Sequence, residues 1–322
     1  MLKYKYTLTK GINMSYVLET FNLSKRYKNQ WALKDVNMHV SKGDIYGFVG
    51  ENGSGKTTVI RLVTGLISAT EGNFALFGVR DDNKEILLER RKVGAIVETP
   101  SIYLNMNATD NLRLQCMALG INQGVEEKIK TVLSEVGLLD QFESKKQASN
   151  FSLGMRQRLG IAIALIGDPE FIILDEPMNG LDPAGIVEIR ELILRLNHEK
   201  QITFLISSHI LSELSLVATK YGIISRGKLI KEITAEELKK ECRPSVIINT
   251  SDRENLYSLL NTLFLPDDIN LTGLGVRVFG DVNLNDLLKK IIDAGIIING
   301  ISCIQTTIED YYLSIIGGFR NA

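Results

Sequence analysis

The sequence contains no long apolar run. A membrane-spanning helix needs roughly 18 consecutive apolar residues, and no stretch of the 322-residue chain has that character. The run that comes nearest, residues 294–308, also contains Asn, Ser, Gln and Thr, and we expect buried strand and loop there. No apolar block follows Lys3, Lys5 and Lys10, as it would in a secretory signal. The sequence therefore predicts a chain that does not itself cross a membrane.

An excess of one charge and a cluster of cysteines are also missing. The 37 Lys and Arg residues are balanced by 38 Asp and Glu residues, which gives a formal net charge of −1. Binding to nucleic-acid phosphates usually shows as a basic excess, so this balance argues against nucleic acid as the main partner. The three cysteines, Cys116, Cys242 and Cys303, fit no metal-binding spacing. We expect them to be buried thiols in a reducing cytosol.

What the sequence does contain is an alternation of apolar strands with amphipathic helices. Residues 171–174 are all apolar, which is typical of a strand buried on both faces of a parallel sheet. Residues 186–196 follow with helical spacing of their apolar positions, and residues 203–207 form the next apolar run. Alternation of this kind predicts an α/β fold.

The chain is long enough for more than one domain. Residues 1–15 have no periodic pattern, and we expect a disordered extension there, with translation starting at Met14. Residues 16–231 carry the strand–helix alternation, with a helical subdomain predicted at about 99–166, and the charged residues 232–244 are predicted to be a linker. Residues 245–322 have a strand and helix order similar to a split β-α-β sandwich, so a small α+β domain is predicted, with its last strand at 296–304.

A glycine-rich turn lies between the apolar run at residues 45–49 and a predicted helix. It has the spacing of a phosphate-binding loop, in which glycines let backbone N–H groups surround an anion at a helix N-terminus. Lys56 is expected to reach the β- and γ-phosphates, and the Thr57 hydroxyl is expected to bind Mg²⁺. This turn predicts a nucleoside triphosphate site formed by Gly50, Asn52, Gly53, Ser54, Gly55, Lys56, Thr57 and Thr58.

Asp175 and Glu176 follow the apolar strand at 171–174. Asp175 is placed to hold the Mg²⁺ shell through water, and Glu176 to act as general base for the attacking water. Adjacent carboxylates at a strand end can also simply begin a turn or helix. The phosphate loop upstream favours the catalytic interpretation.

The run Phe-Ser-Leu-Gly-Met-Arg-Gln-Arg at residues 151–158 resembles the signature motif of the ABC ATPases. Ser152 and the helix that it caps would offer a hydroxyl, backbone N–H groups and the positive end of a dipole to a γ-phosphate. The alternative is an ordinary capped helix that packs through Leu159 and Ile161. The resemblance implies that Ser152 and Gly154 bind nucleotide held by a second copy of the chain, so that two copies enclose two ATP molecules.

Further residues match the same family in order along the chain. Gly180-Leu181-Asp182 resembles the loop through which the two copies contact each other, which implies that Asp182 lies at the nucleotide interface. His209 matches the histidine that contacts the γ-phosphate, whereas His39 and His198 are expected to be structural. Tyr27 matches the aromatic residue that stacks on adenine, with Trp31 as the alternative. Stacking tolerates any base, so the preference for ATP rests on the resemblance.

The departures from the family pattern are informative. Glu98 stands where ABC ATPases usually have a glutamine, at the end of the strand that leads into the helical subdomain. The altered signature and Glu98 together resemble the bacitracin-resistance and lantibiotic-immunity branch, whose transporters expel peptide antibiotics. The resemblance places Glu98 near Mg²⁺, as a metal ligand with Thr57 and Asp175. A neutral family variation at this position is the alternative.

The resemblance implies an ATP-hydrolysing subunit of an ABC transporter. The expected fold is a P-loop NTPase core with strand-rich and helical subdomains, ATP and Mg²⁺ are the expected cofactors, and the expected location is the cytoplasmic face of the cell membrane. Expected partners are membrane-spanning permease subunits and a second copy of the chain. The alternatives are an ABC importer subunit and a soluble ABC ATPase that acts on ribosomes or nucleic acid. A P-loop kinase or switch GTPase is disfavoured by the signature and by His209.

Overall fold

The computed structural model describes residues 16–280, 282–304 and 307–320. The expectations for residues 1–15, with a start at Met14, lie outside these ranges. Within them, no helix combines the length and the apolar character needed to cross a membrane. The chain divides into two compact units between Ala235 and Glu236.

The first unit alternates strands with helices along most of its length. Its strands are β1 (Tyr16–Tyr27), β2 (Gln30–Val36), β3 (His39–Ser41), β4 (Ile45–Val49), β5 (Glu71–Leu76), β6 (Val79–Arg80), β7 (Val93–Ile96), β8 (Phe171–Asp175), β9 (Thr203–Ser208), β10 (Lys220–Ser225) and β11 (Lys228–Thr234). Its helices are α1 (Lys56–Val63), α2 (Ile86–Arg90), α3 (Ala108–Leu119), α4 (Val125–Glu135), α5 (Leu153–Leu165), α6 (Pro183–Lys200) and α7 (Leu211–Leu214), and α8 (Ala235–Glu241) spans the unit boundary.

Two sheets form the frame of this unit. The larger has the order β11-β10-β4-β9-β8-β7, in which only the β10–β11 pair is antiparallel. The smaller is antiparallel, with the order β2-β1-β5-β6 and β3 paired to β1. All five residues of β8 are buried, as its apolar run predicts. The parallel sheet confirms the predicted α/β class and brings the carboxyl ends of β4, β8 and β9 to one edge.

The helices between β7 and β8 pack on one another, α3 against α4 and both against α5. Two of them, α3 and α5, begin at a capping side chain that can be recognised in the sequence. The Asn107 side chain accepts from the Asp110 N–H to begin α3, and Ser152 caps α5 in the same way. α4 buries Ile129, Val132 and Leu133 on one face, and Gly137, just beyond its end, has φ +67°.

Residues 232–244, predicted to be a linker, are largely in regular structure. β11 continues to Thr234, and α8 follows at once. The charged residues that suggested a linker lie around a buried Leu238, so they form the solvated side of a short helix.

The second unit has one antiparallel sheet with helices between its strands. Its elements are β12 (Ser245–Asn249), α9 (Arg253–Asn261), β13 (Ile269–Leu271), β14 (Gly275–Phe279), α10 (Leu284–Asp293), β15 (Gly300–Ile304) and α11 (Ile308–Arg320). The sheet order is β13-β14-β12-β15. Insertion of β14 between β12 and β13 is the split β-α-β arrangement, which confirms the predicted small α+β fold.

Two expectations for the second unit are wrong in detail. The last strand begins at Gly300 rather than at residue 296, because its partner β12 ends at Asn249. Ile296 still packs into the core from the preceding loop. Cys303 is exposed and Cys242 is half-buried, so only Cys116 is the expected buried thiol. Cys303 lies on β15, which is an edge strand.

Candidate functional site

The phosphate loop lies between β4 and α1, and its glycines are required by its path. Gly55 has φ +113°, and a Cβ at this position would lie 2.5 Å from Leu33 Cδ2. A Cβ on Gly50 would lie 2.5 Å from the Ile224 carbonyl oxygen. The first-turn amides of α1 have no acceptor within the helix, so they are free to face an anion.

Lys56 projects from the first residue of α1 and is 5% exposed. Its Nζ donates to the Gly50 carbonyl at 2.7 Å, which folds the side chain back over the loop. The same Nζ lies 3.4 Å from Glu176 Oε1. The lysine charge therefore sits between the loop and the carboxylate at the end of β8.

Thr57 and Asp175 meet across the gap between α1 and β8. The Thr57 hydroxyl donates to Asp175 Oδ2 at 2.9 Å. Asp175 is 3% exposed, and its second oxygen accepts from the Ser207 hydroxyl at 2.5 Å. Hydroxyl and carboxylate oxygens are the ligands that Mg²⁺ prefers, so this pair fits the ion.

Glu176 and His209 form the outer part of the same cluster. His209 Nδ1 lies 2.9 Å from Glu176 Oε2. Glu176 has φ +50°, an uncommon left-handed conformation for a residue other than glycine. Both residues lie just after the carboxyl ends of neighbouring parallel strands, β8 and β9. The structure thus brings together Lys56, Thr57, Asp175, Glu176 and His209.

Next to the loop is a cleft of about 450 Å³ lined by Tyr27 and Trp31. It shares Ala32 and Gly53 with a smaller pocket of about 160 Å³ over the phosphate loop. Tyr27 is 46% exposed, as a stacking platform requires. Both aromatic rings line the cleft, so Tyr27 and Trp31 both stay candidates for stacking on the base.

Sequence reasoning missed part of this cleft. The turn between β10 and β11 contributes Arg226 and Gly227 to its lining. The Gly227 N–H also donates to the Ser54 carbonyl at 2.8 Å, which joins the hairpin to the phosphate loop. The contact of this hairpin with a loop so far away in the sequence has no local signal.

Ser152 of the signature motif and Asp182 each cap the N-terminus of a helix. Ser152 accepts from the Met155 N–H at 3.2 Å, and Ser152 and Leu153 are exposed. Asp182 caps α6 by accepting from the Gly185 N–H. A Cβ on Gly154 would have Leu181 as its nearest contact, at 3.9 Å. These residues present the N-terminus of α5 at the surface, beside the loop that precedes α6.

Glu98 is not brought into contact with Thr57 or Asp175. Its carboxylate lies 2.5 Å from Arg61 Nη2, and its side chain is 57% exposed. Arg61 stands one helical turn after Thr57 on α1, so Glu98 is tied to the same helix further along. In this structure its partner is the arginine, and the predicted role as metal ligand stays a prediction.

The geometry fits a bound triphosphate. Among the described residues, Ser54 Oγ is buried without a hydrogen-bond partner. A loop with an unsatisfied hydroxyl, first-turn amides and a buried lysine is suited to an anion with several oxygens. The fold and the site together define a P-loop protein that binds a nucleoside triphosphate.

Comparison with known proteins identifies the family. A family model described as ABC transporter matches residues 33–179. The bacitracin transport ATP-binding protein BcrA of Bacillus licheniformis is 43% identical over 309 residues, 95% of this chain and 99% of the relative. The lantibiotic transport ATP-binding protein SrtF of Streptococcus pyogenes is 43% identical over 67% of this chain and 90% of the relative. A solved ATP-binding subunit of an ABC transporter is 31% identical with a TM-score of 0.60, over 70% of this chain and 92% of that one.

The chain therefore belongs to the ABC transporter ATP-binding proteins, and it binds and hydrolyses ATP. The predicted resemblance to the bacitracin and lantibiotic branch is confirmed. The alternative of a soluble ATPase acting on ribosomes or nucleic acid has no support from these relatives.

Proposed function

We propose that this chain drives export of a peptide antibiotic or a similar amphiphile, as a pair of copies bound to membrane-spanning partner chains at the cytoplasmic face of the membrane. The observation that carries the proposal is the meeting of Lys56, Glu176 and His209 beside the Thr57–Asp175 pair. The cargo is suggested by the relatives, which are named for bacitracin and lantibiotic transport.

In this proposal the chain's own residues prepare one hydrolytic step. Thr57 and Asp175 would hold Mg²⁺, which would supply positive charge to the phosphate oxygens. Glu176 accepts a proton from the attacking water at Oε1 or Oε2, while His209 holds Oε2 in place at 2.9 Å. Lys56 offsets the negative charge of the phosphates from the loop side. Water adds to the γ-phosphorus as the bond to the leaving ADP oxygen breaks.

A second copy of the chain completes the site in this proposal. The signature helix start is exposed at Ser152 and Leu153, and the hydrogen bond of Ser152 is to its own helix. Its hydroxyl and first-turn amides are therefore available to a γ-phosphate on another copy. Residues 16–231 would form the nucleotide-binding domain, with the helices at 99–166 and Glu98 facing the membrane partner.

Glu176→Gln in the full chain tests the proposal. The amide keeps the shape of the side chain but cannot accept the proton, so we expect ATP binding to persist while kcat falls by about 100-fold or more. ATP should then trap a dimer, measured by light scattering after size exclusion. Glu191→Gln, an exposed change on α6, is the matched control.

The same tagged variant tests the partners. Recovered from solubilised membranes of its native cell and analysed by mass spectrometry, it should retain a protein with several membrane spans. Recovery of ribosomal or nucleic-acid-binding proteins without a membrane protein would contradict the proposal, as would normal hydrolysis by Glu176→Gln.

A further inference from the structure

We infer that Ser207 is a positioning residue that sets the geometry of both Asp175 and Glu176. The inference rests on the proposed roles of these two carboxylates. Ser207 lies near the end of β9, directly opposite Asp175 on the parallel strand β8, and its side chain is fully buried.

The Ser207 hydroxyl acts first as a donor. It gives its hydrogen to Asp175 Oδ1 at 2.5 Å, while Asp175 Oδ2 accepts from the Thr57 hydroxyl at 2.9 Å. The two bonds fix the plane of the carboxylate, so that one oxygen is held by the sheet and the other faces α1. A carboxylate fixed in this way presents the same oxygen to a cation beside Thr57 without first having to rotate.

The same hydroxyl acts also as an acceptor. A serine hydroxyl has one hydrogen and two lone pairs, and its hydrogen is engaged by Asp175. The Glu176 N–H donates to Ser207 Oγ at 2.9 Å and lies 3.2 Å from the Ser207 carbonyl oxygen. These contacts hold Glu176 where its φ is +50°, the conformation from which its side chain reaches both Lys56 and His209.

The neighbouring serine makes different contacts. Ser208 Oγ accepts from the Ile210 N–H and lies 3.4 Å from Glu213, on the side away from Asp175. Successive strand residues point to opposite faces, so only Ser207 can reach the carboxylate. One side chain therefore links the metal-side carboxylate to the backbone of the general base.

The test compares Ser207→Ala with Ser207→Thr, which keeps the hydroxyl, and with Thr203→Val. Thr203 lies on the same strand, is equally buried, and accepts from the Gly43 N–H far from the carboxylates. Three quantities are measured on the full chain: the Tm without nucleotide, the Mn²⁺ affinity by electron paramagnetic resonance with a non-hydrolysable ATP analogue, and kcat and KM for ATP.

Loss of a partner that orients a metal-side ligand typically lowers metal affinity or activity by about 10- to 100-fold. We expect Ser207→Ala to lower both the Mn²⁺ affinity and kcat by about 10-fold or more, with KM for ATP within about 2-fold because the phosphate loop is intact. Ser207→Thr should recover most of both. Thr203→Val should lower Tm but leave Mn²⁺ affinity and kcat unchanged.

If Ser207→Ala keeps the Mn²⁺ affinity and kcat of the unmodified chain and only loses Tm like Thr203→Val, the hydroxyl is merely structural and the inference fails. That failure is distinct from failure of the proposed function, in which Glu176→Gln would hydrolyse ATP normally. The two experiments therefore separate the role of Ser207 from the role of the carboxylates themselves.

Discussion

The two units of this chain differ in what their buried polar groups do. In the first unit Lys56, Asp175 and Ser207 are at most 5% exposed, and their contacts converge on one edge of the parallel sheet. Among the described residues of the second unit, the buried polar side chains are Ser245 and Thr250. Ser245 accepts from the Arg277 side chain, and Thr250 accepts from a turn amide two residues on.

The difference concerns the use of polar groups rather than the quality of the fold. Burying a polar group is unfavourable unless it is paired. In the second unit each pairing satisfies a strand or a turn, whereas in the first the pairings of Lys56, Asp175 and Ser207 hold side chains that can bind a phosphate or move a proton. We therefore expect ATP hydrolysis to depend on the first unit and to tolerate damage to the second.

The largest effect on ATPase activity is expected from Lys56→Ala. It removes the buried charge of the phosphate loop, and loss of such a preorganised group typically lowers kcat by about 100- to 1,000-fold. ATPase assays and ATP-binding titrations measure the effect. Lys289→Ala, at an exposed position on α10 of the second unit, is the matched control and should behave like the unmodified chain. Equal losses of ATPase activity in both variants would contradict the expectation that hydrolysis depends on the first unit.

A matched pair of core substitutions, one in each unit, tests the comparison between the units more sharply. Ile173 on β8 and Ile248 on β12 are both fully buried, one in each unit. Truncation of either to Ala leaves a cavity that should lower the free energy of unfolding of its unit by about 2–5 kcal/mol. Ile173→Ala should also impair ATPase activity, because β8 carries Asp175 at its end. Ile248→Ala should leave kcat within about 2-fold, since Ile248 packs in the core of the other unit and shares no partner with β8.

Calorimetry and ATPase assays on the same samples measure both quantities. A large loss of activity in Ile248→Ala, at a temperature where the first unit is still folded, would show that the second unit takes part in hydrolysis.

The parts that the sequence predicts best are those with local signals. The phosphate loop, the buried strand β8 and the Ser152 cap each depend on residues a few positions apart, and the structure has all of them. The catalytic and binding roles given to these residues stay predictions.

The parts that the sequence could not predict depend on distant pairs. The ion pair of Arg61 with Glu98 and the contact of Ser207 with Asp175 join residues 37 and 32 positions apart. The periodicity of apolar residues along the sequence does not indicate contacts between residues so far apart. The general rule that sites form at the carboxyl ends of parallel strands could have suggested Ser207, since it lies near the end of β9.

A smaller effect on kcat is expected from substitutions at Glu98 and Arg61. Exposed ion pairs contribute about 0.2–1 kcal/mol, so loss of the Arg61 pair alone should change Tm little. At about 1.4 kcal/mol per tenfold, an effect of this size on the active conformation would change kcat by at most about 5-fold. If the pair acts as a unit, Glu98→Gln, Arg61→Gln and the double variant should have the same kcat, measured with the membrane partner present. Additive effects would show that the two side chains act separately.

The smallest effect on ATPase activity is expected from a polar cluster of the first unit that lies outside the site. His39 Nδ1 lies 2.8 Å from Glu232, and Tyr46 and Lys220 also contact that carboxylate. The hydrogen bond with Glu232 raises the pKa of His39 above its ordinary 6.5; burial and the Lys220 charge oppose this, and Glu19 supports it. For Glu232, burial raises the pKa, but the hydrogen bonds from His39 and Tyr46 outweigh it and hold the pKa below its ordinary 4.5.

The sign of the pH dependence follows from these two shifts. A raised histidine pKa contributes stability that is complete below pH 6.5 and is lost as the pH rises through the folded pKa. The lowered pKa of Glu232 contributes stability that is present above pH 4.5 and is lost as the pH falls through its folded pKa. His39→Gln should therefore lower Tm most between these two values, by about 2–4 °C in a unit of this size, and least in alkaline buffer. A Tm difference that grew as the pH rose would mean that the pair is not charged in the folded protein, whereas unchanged ATPase activity across the range would confirm that this cluster, unlike the edge at Asp175, serves only the fold.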